Sequence, residues 1–568
     1  MRSHSLRFLL LSTALAALAL VAPRVHAADP DFTGTWKIVI LGPFSENELF
    51  LLDVKDEGGK AVASVKDFSP QQFQQAPKAT NFGVEKGVVT FGLNIGIPIT
   101  FTGKSAKDGS VSGVLKLRNQ LIPARFVKTD AKKVKPLIAQ EPESSRIYSQ
   151  ARGEQNPKSK SAKLTQIIGK NPGNPSLVPI YIELFNLAEA AGLSGADVRK
   201  LATEEIEVTK LFGSELATSA ALGFINTLSK YKTYASIALD LAKGVETDLA
   251  PDATLETRAN TFEALAAAAR AAGDKTLMAR AEAQVQTLNA NLDEEYHKTV
   301  PPFKPEVSGA GKDRKSNRVV LMELFTGAQC PPCVAADVAF DVLIDTYKPT
   351  ELVTLQYHEH IPGPDPLTNS DSVARFQYYP DSQGTPTTVF NGKPDGGSGG
   401  YMPDAKAKYD AYKGIIDKSL EKPSEAKINL NADRKGDDIV ITASAQAEDA
   451  KNENLKLRLV LVEDQVRYTG GNNLRFHHHV VRGFPGGVEG KTLSKGQGKT
   501  EVTVNLADVR KRLEAYLGEF AKGGRAFPKA LPPIDLNKLS IVAFVQDDSN
   551  KSVLNAAMTA VAEKAPTP

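Results

Sequence analysis

The chain has 568 residues, with 69 basic and 66 acidic side chains and a formal net charge of +3. An even charge balance, mixed along the sequence, speaks against a nucleic-acid or membrane-surface binder. The length exceeds what one hydrophobic core supports, so about four domains are expected.

Arg2 and Arg7 flank the start of an apolar run, Phe8 to Ala22, and Val25-His26-Ala27 supplies a small-residue cleavage site. Residues 1–27 therefore read as a secretory signal, too short for a comfortable membrane span. An uncleaved signal anchor is the alternative reading. No cysteine follows the run, which excludes a lipoprotein-type anchor. No later segment is long and apolar enough to span a bilayer, so no stable span is expected after cleavage. The expected destination is the periplasm or cell envelope of a bacterium.

Residues 28–132 show short alternating runs, such as Trp36 to Ile40 and Glu48 to Leu52, separated by Glu57-Gly58-Gly59, Lys86-Gly87 and Lys107-Asp108-Gly109. This spacing predicts a small β-barrel or sandwich. Gly34-Thr35-Trp36 resembles the first strand of lipocalin-like barrels, with Trp36 expected in the core rather than at a ligand. Residues 138–302 switch to helical periodicity: Leu184, Phe185, Leu187, Ala188 and Ala191 share a face, Gly192 caps that helix, and Ser194 opens the next. An α-helical bundle or a short tetratricopeptide-like solenoid is expected. Residues 303–316 read as a linker. An α/β domain at 317–424 contains the cysteines. Residues 425–563 return to strand patterns, with a helix inserted from Leu506 to Phe520, and predict an immunoglobulin-like β-sandwich. The fold class is thus multidomain, α+β and α/β.

The only two cysteines stand as Cys330-Pro331-Pro332-Cys333. In an exported chain no other thiol exists for either to bridge, and so short a loop stabilises little. The expected use is chemistry: dithiol–disulfide cycling or metal binding. A buried-strand pattern, Arg318 to Phe325, leads through Thr326 to Gln329 into a helix that begins at Cys330. A thiolate at a helix N-terminus is stabilised by the dipole. Cys330 is then the expected exposed nucleophile and Cys333 the buried resolving thiol. Further on, Gly384-Thr385-Pro386-Thr387 precedes a β run, a setting that suits a cis peptide, and Asn391-Gly392 supplies a hairpin turn.

The strand, the Cys-Pro-Pro-Cys helix start and the Gly-Thr-Pro-Thr element together resemble a thioredoxin-fold domain, over about 110 residues. The resemblance implies that Pro386 faces the disulfide and that the backbone at Thr385, with Gly384, pairs with an extended substrate segment. Glu323 to Gly327, Phe544 to Asp547 and Val553 to Ala556 look more like exported bacterial thioredoxin-like proteins of the outer-membrane type, which carry a C-terminal β domain. The two N-terminal domains lie outside this resemblance.

Two readings of Glu323 stay open: a proton acceptor for Cys333, or a strand-end acid in a salt bridge. His358 and His360 lie two apart at a strand end and share a face. They either occupy a loop, line the groove with His358 tuning the thiolate, or join Cys330 and Cys333 in a zinc or copper site. In His477-His478-His479 only the first and third would share a face.

The expected function is an exported thiol–disulfide oxidoreductase acting on protein disulfides or dithiols. It needs no cofactor, but it does need an exported or membrane electron donor. Pro331 and Pro332 lack N–H groups that could stabilise a thiolate, which leans the reading toward reductase or isomerase. The rivals are a copper- or zinc-binding thioredoxin-like chaperone, and an envelope binding or structural protein whose thioredoxin-like domain is not catalytic.

Overall fold

A computed structural model of the chain describes residues 31–563, apart from 71–72, 74–76, 96–97, 107–108, 118–119, 137–140, 306–315, 381, 383, 396, 398, 524–526 and 528–530. The expected signal at 1–27 and most of the expected linker lie outside the described residues. The chain divides into two compact units, Met1–Ala290 and Asn291–Pro568.

The described residues of the first unit begin with eight strands: β1 (Gly34–Leu41), β2 (Glu46–Asp56), β3 (Ala61–Phe68), β4 (Lys78–Glu85), β5 (Val88–Asn94), β6 (Pro98–Ser105), β7 (Val111–Leu117) and β8 (Gln120–Lys128). They form one antiparallel sheet in the order β3-β2-β1-β8-β7-β6-β5-β4, with β1 paired to β8, which leaves it nearly closed with β3 and β4 at its ends. Alternate residues of each strand point inward, which collects Phe50, Phe91, Phe101 and Phe126 into one core. Trp36 is buried there, stacked on Phe126 at 4.7 Å, and its indole N–H donates to the Phe32 carbonyl at 2.7 Å.

Among the described residues, seven α-helices follow inside this unit: α1 (Glu143–Gly153), α2 (Pro157–Lys170), α3 (Val178–Ala191), α4 (Gly195–Lys210), α5 (Ser214–Leu228), α6 (Ala235–Thr247) and α7 (Leu255–Ala272). An eighth, α8 (Lys275–Thr299), crosses the division between the units. Ser194 caps α4 by accepting from the Asp197 N–H at 3.1 Å. Leu184, Phe185 and Ala188 of α3 meet Phe224 and Ile225 of α5 in the helical core.

One acid is out of place in that core. Glu205 of α4 is 2% exposed beside Tyr181, and burial pushes its carboxyl up to about 8. The folded state therefore holds a proton that the unfolded chain releases above its ordinary value of 4.5. Stability from this group is fully present below that value and is lost as pH rises toward 8. Glu205→Gln should leave stability at pH 5 nearly unchanged and raise it at pH 8 by on the order of 3 kcal/mol. Urea midpoints of the helical transition at the two pH values test this; equal pH dependence in wild type and variant would refute it.

The second unit carries β9 (Val320–Thr326), α9 (Val334–Thr346), β10 (Leu352–His358), α10 (Ser370–Gln377), β11 (Thr387–Phe390), β12 (Lys393–Asp395) and α11 (Ala405–Leu420). It continues with β13 (Ala426–Lys435), β14 (Asp438–Ala447), β15 (Leu455–Arg467), β16 (Phe476–Gly483), β17 (Lys491–Thr492), β18 (Gln497–Asn505), α12 (Leu506–Lys522), β19 (Leu539–Asp547), β20 (Val553–Ala560) and β21 (Ala562–Glu563). One sheet runs in the order β12-β11-β9-β10-β16-β15-β19-β20, with β17 beside β15. β9 and β10 are parallel and buried along their whole length, as strands covered on both faces must be. On one face, Met322 and Leu324 pack on α9 and α11. On the other, Leu321, Phe325 and Leu355 join Val460, Val542 and Phe544.

The sheet does not stop at 424, where the sequence suggested a boundary. β10 pairs in parallel with β16 through Gln356 and Val480. A second, four-stranded sheet, β18-β14-β13-β21, faces β15 and β19 across an apolar core that includes Ile439, Ile441, Leu457 and Ile541. Half of the expected C-terminal sandwich is therefore the far part of the sheet that carries the cysteines. Pairing between strands more than a hundred residues apart leaves no local pattern in a sequence.

Candidate redox site

β9 ends at Thr326, and the chain turns through Gly327 to Gln329 to reach Cys330, whose N–H donates to the Gly327 carbonyl at 2.9 Å. Pro331 to Cys333 form a single tight turn, and α9 follows at once. Cys330 and Cys333 are joined as a disulfide, Cα to Cα 5.4 Å. The Thr385–Pro386 peptide is cis. The Thr385 hydroxyl lies 3.5 Å from Cys330 Sγ and its carbonyl oxygen 3.7 Å away. The oxidised sulfur has no proton, so the carbonyl contact becomes a hydrogen bond only in the dithiol form. The Gly384 carbonyl accepts from the Thr387 hydroxyl at 2.7 Å.

Helix starts offer unpaired N–H groups to anions. Here the protein itself uses them. Pro331 and Pro332 have none. The Cys333 N–H donates to the Cys330 carbonyl at 3.1 Å, that of Val334 to Pro331, and that of Ala335 to the Gly400 carbonyl at 3.1 Å.

One expectation is corrected. Cys330 is not exposed: it is 1% accessible and Cys333 0%. Loops from distant parts of the chain roof the site. The Gly400 N–H donates to the Pro332 carbonyl at 2.7 Å, and a Cβ on Gly399 would strike that same carbonyl and Pro386. On the other side the Asn472 N–H donates to the Ala328 carbonyl at 2.9 Å, and the close approach of Gly470 leaves no room there for a side chain.

Glu323 sits on the face of β9 opposite to Leu324, away from α9. It is fully buried and receives Arg375 Nε at 2.8 Å, Arg375 Nη2 at 2.9 Å, Tyr357 Oη at 3.0 Å and Tyr379 Oη at 2.6 Å. Of its two readings, the geometry gives the salt bridge. A carboxylate so engaged, on the far face of the sheet, is not a proton acceptor for Cys333.

The buried acid behind the cysteines is Asp337, four residues after Cys333 on the inner side of α9 and 1% exposed. Residues so spaced stack one turn apart on a helix, with Cβ atoms about 5–6 Å apart. Asp337 Oδ2 accepts from the Thr326 hydroxyl at 2.9 Å, and Gln356 Nε2 donates to Oδ1 at 3.1 Å. Burial pushes its carboxyl well above the usual carboxylate range. The chain of contacts continues from Gln356 Oε1 to His358 Nε2 (3.2 Å), and from His358 Nδ1 to Asp365 Oδ2 (2.8 Å). Asp365 is buried too, yet its carboxyl lies below the ordinary value: burial raises it, but His358 and the N–H groups of Leu367 and Ala328 outweigh that. Its Oδ2 accepts from the Ala328 N–H at 2.5 Å, so it holds the loop that leads to Cys330. The sequence reading missed Asp337, Gln356 and Asp365. The available signal was an aspartate at the i+4 position after Cys333, on the same face of the helix.

The two histidines proposed to act together face different partners. His358 is enclosed in the network above. His360 lies beyond the end of β10, accepts from the Asp365 N–H at 3.0 Å and stacks on Phe520 at 3.5 Å between ring centroids. Among the described residues, no group of three or more His, Cys, Asp or Glu side chains is arranged to hold a metal ion. The His477–His479 rings also part company. His477 packs edge-on against His358 at 4.8 Å, and burial lowers it to about 3. His478 reaches Asp341, and His479 contacts the Thr354 hydroxyl at 2.6 Å. Among the described residues, no helix is long and apolar enough to cross a membrane.

A family model described as Outer membrane protein Omp28 matches residues 374–565, less than half of the chain. No curated protein matches. Among solved structures, HBP35 of Porphyromonas gingivalis is similar at 18% identity with a TM-score of 0.31, over 45% of this chain and 79% of that one. The protein is a bacterial cell-envelope protein.

Proposed function

We propose that this protein is a thioredoxin-like thiol–disulfide oxidoreductase of the cell envelope, working as a reductase or isomerase. The observation that carries the reading is the juxtaposition of the Cys330–Cys333 disulfide, at the start of α9, with the cis-Pro386 element and Thr385. The order β12-β11-β9-β10, with α9 after β9 and α11 on the same face, agrees with a thioredoxin-like domain.

In the reducing direction the Cys330 thiolate attacks one sulfur of a substrate disulfide, and the other substrate sulfur leaves as a thiolate. Cys333 then attacks Cys330 Sγ, the mixed disulfide breaks, and the second substrate sulfur leaves. Two electrons pass to the substrate, and the Cys330–Cys333 bond closes. The Cys333 proton goes to Asp337, which burial keeps protonated in the disulfide form. An external dithiol donor reverses these steps and returns the proton. The N–H groups of Cys333, Val334 and Ala335 are occupied and Pro331 and Pro332 have none, so the Cys330 thiolate gains little from the helix start. That favours the disulfide form over the dithiol and makes the dithiol the better reductant.

Reduction of insulin by dithiothreitol tests the reading. The mature protein should accelerate it, and Cys330→Ser should abolish the acceleration; a wild-type protein no faster than dithiothreitol alone refutes the proposal. Asp337→Asn should slow resolution of a preformed Cys330 mixed disulfide by on the order of 100-fold or more while leaving alkylation of Cys330 unchanged. Stopped-flow release of a chromophoric thiol follows resolution, and the mass gained on reaction with iodoacetamide follows alkylation.

A further inference from the structure

The antiparallel sheet of the first unit has an open seam. β3 and β4 are its two end strands, and among the described residues no backbone hydrogen bond joins them. β3 pairs with β2 and β4 with β5, so each presents a second edge of N–H and C=O groups without a strand partner. β4 is also bent there: its register with β5 shifts between Thr80 and Gly83, and Asn81 takes a left-handed φ of 53°. Between the two edges lies a cavity of about 680 Å³, bounded by Ala61 to Ala63 on β3, Ala79 to Val84 on β4, and Phe32 ahead of β1.

The inward side chains of this seam are small over an aromatic floor. Ala61, Ala63 and Ala79 stand there, whereas the adjoining strands fill the same core with Leu52, Val54, Phe91 and Leu93. Phe32 and Phe82 form the floor, edge to face at 6.4 Å between centroids. The acids at the mouth are engaged in their own turns. Asp31 accepts from the Thr33 N–H at 2.8 Å and hydroxyl at 2.9 Å, and Asp56 from the Gly59 N–H at 2.7 Å. Edge strands usually block further pairing with charges or proline. From Ala61 to Val65 and from Ala79 to Val84 there is neither, and Val62 is 41% exposed.

We propose that this seam binds an extended segment of a partner protein, which enters between β3 and β4 as an added strand and closes the sheet. Two facing backbone edges need a ligand with donors and acceptors on both sides at the strand repeat. Extended polypeptide has them; a lipid or a small apolar molecule does not. A strand residue takes up about 3.4 Å along the chain, 4.8 Å across and 10 Å through the sheet, so the space suits roughly four residues. The alanines leave room for bulky apolar side chains of that segment above Phe32 and Phe82, and the neutral walls favour an uncharged stretch. The proposal uses neither cysteine and stands independently of the redox reading.

The test is hydrogen exchange of the mature full-length protein, read by mass spectrometry on peptic fragments covering β3 and β4, with acetyl-KTLTLTK-amide as probe. An added strand turns exposed edge amides into bonded ones. At about 1 mM peptide their exchange should slow roughly tenfold, as a Kd near 0.1 mM requires. The same peptide methylated on every second backbone nitrogen should give no protection. Ala61→Phe, which fills the mouth of the seam, should weaken binding roughly tenfold or more. Unchanged exchange at about 1 mM probe, equal protection by the methylated peptide, or full binding to Ala61→Phe would each overturn the proposal. So would edge amides that are already slow without peptide, which would assign the seam to the chain's own residues before Asp31. Protection that grows with protein concentration alone would assign it to a second copy and likewise overturn the proposal. If Ala61→Phe fails to fold, the methylated peptide decides.

Discussion

Arg375→Met is expected to destabilise the second unit by about 3–5 kcal/mol, the cost of stranding one buried charge. Arg375 is 2% exposed and joins three separate pieces of chain. It bonds Glu323 on β9 with two nitrogens, donates to Gln546 Oε1 on β19 at 2.9 Å, and itself belongs to α10. The ring of Phe544 lies 5.2 Å from its guanidinium carbon. Removing it leaves the Glu323 carboxylate with only two tyrosine hydroxyls. The double change Arg375→Met with Glu323→Gln should recover much of the loss, because no charge then remains unpaired. Denaturant unfolding read from the second unit measures both. A single-variant loss below about 1 kcal/mol would show that the pair is not buried as described.

The second large effect concerns the chemistry. With Cys333→Ser the mixed disulfide has no resolving thiol, so Cys330 should retain its substrate covalently. Non-reducing electrophoresis of the variant expressed in its own envelope should show adducts that dithiothreitol releases and that the double variant Cys330→Ser, Cys333→Ser lacks. The roof over Cys330 predicts more. Since Cys330 is 1% accessible, adduct formation requires the loops at Gly399-Gly400 and Gly470 to Asn472 to open. Adducts should therefore favour extended, flexible substrate segments over disulfides held in compact folds. Equal trapping by the double variant would contradict the assignment of Cys330.

What the sequence disclosed about this site was local. A strand run, a loop and a helix start around Cys330 are written within about 25 residues, and Gly384 to Thr387 announces itself because proline before a β run has few uses. Trp36 and the strand spacing disclosed the antiparallel sheet in the same way. The rest arises from contacts between distant segments. Cys330 is covered by Thr385 and by the loops at Gly399-Gly400 and Gly470 to Asn472, all distant in sequence, and nothing in its neighbours signals that. The sheet crosses residue 424 because β10 finds β16. Glu323 is the instructive case. Alternation along β9 places it on the face opposite to Leu324, and that rule alone decides against proton transfer with Cys333. Asp337 was equally readable, as the acid at the helical i+4 position from Cys333.

The measurement that bears most directly on the central claim is the reduction potential of the Cys330–Cys333 couple in the purified mature protein, equilibrated with dithiothreitol or glutathione buffers. Occupied helix N–H groups and two prolines predict a weakly stabilised Cys330 thiolate. The potential should then lie near the thioredoxin value, about −270 mV. A value near −120 mV, that of a strong disulfide donor, or a couple that does not cycle at all, would contradict the account.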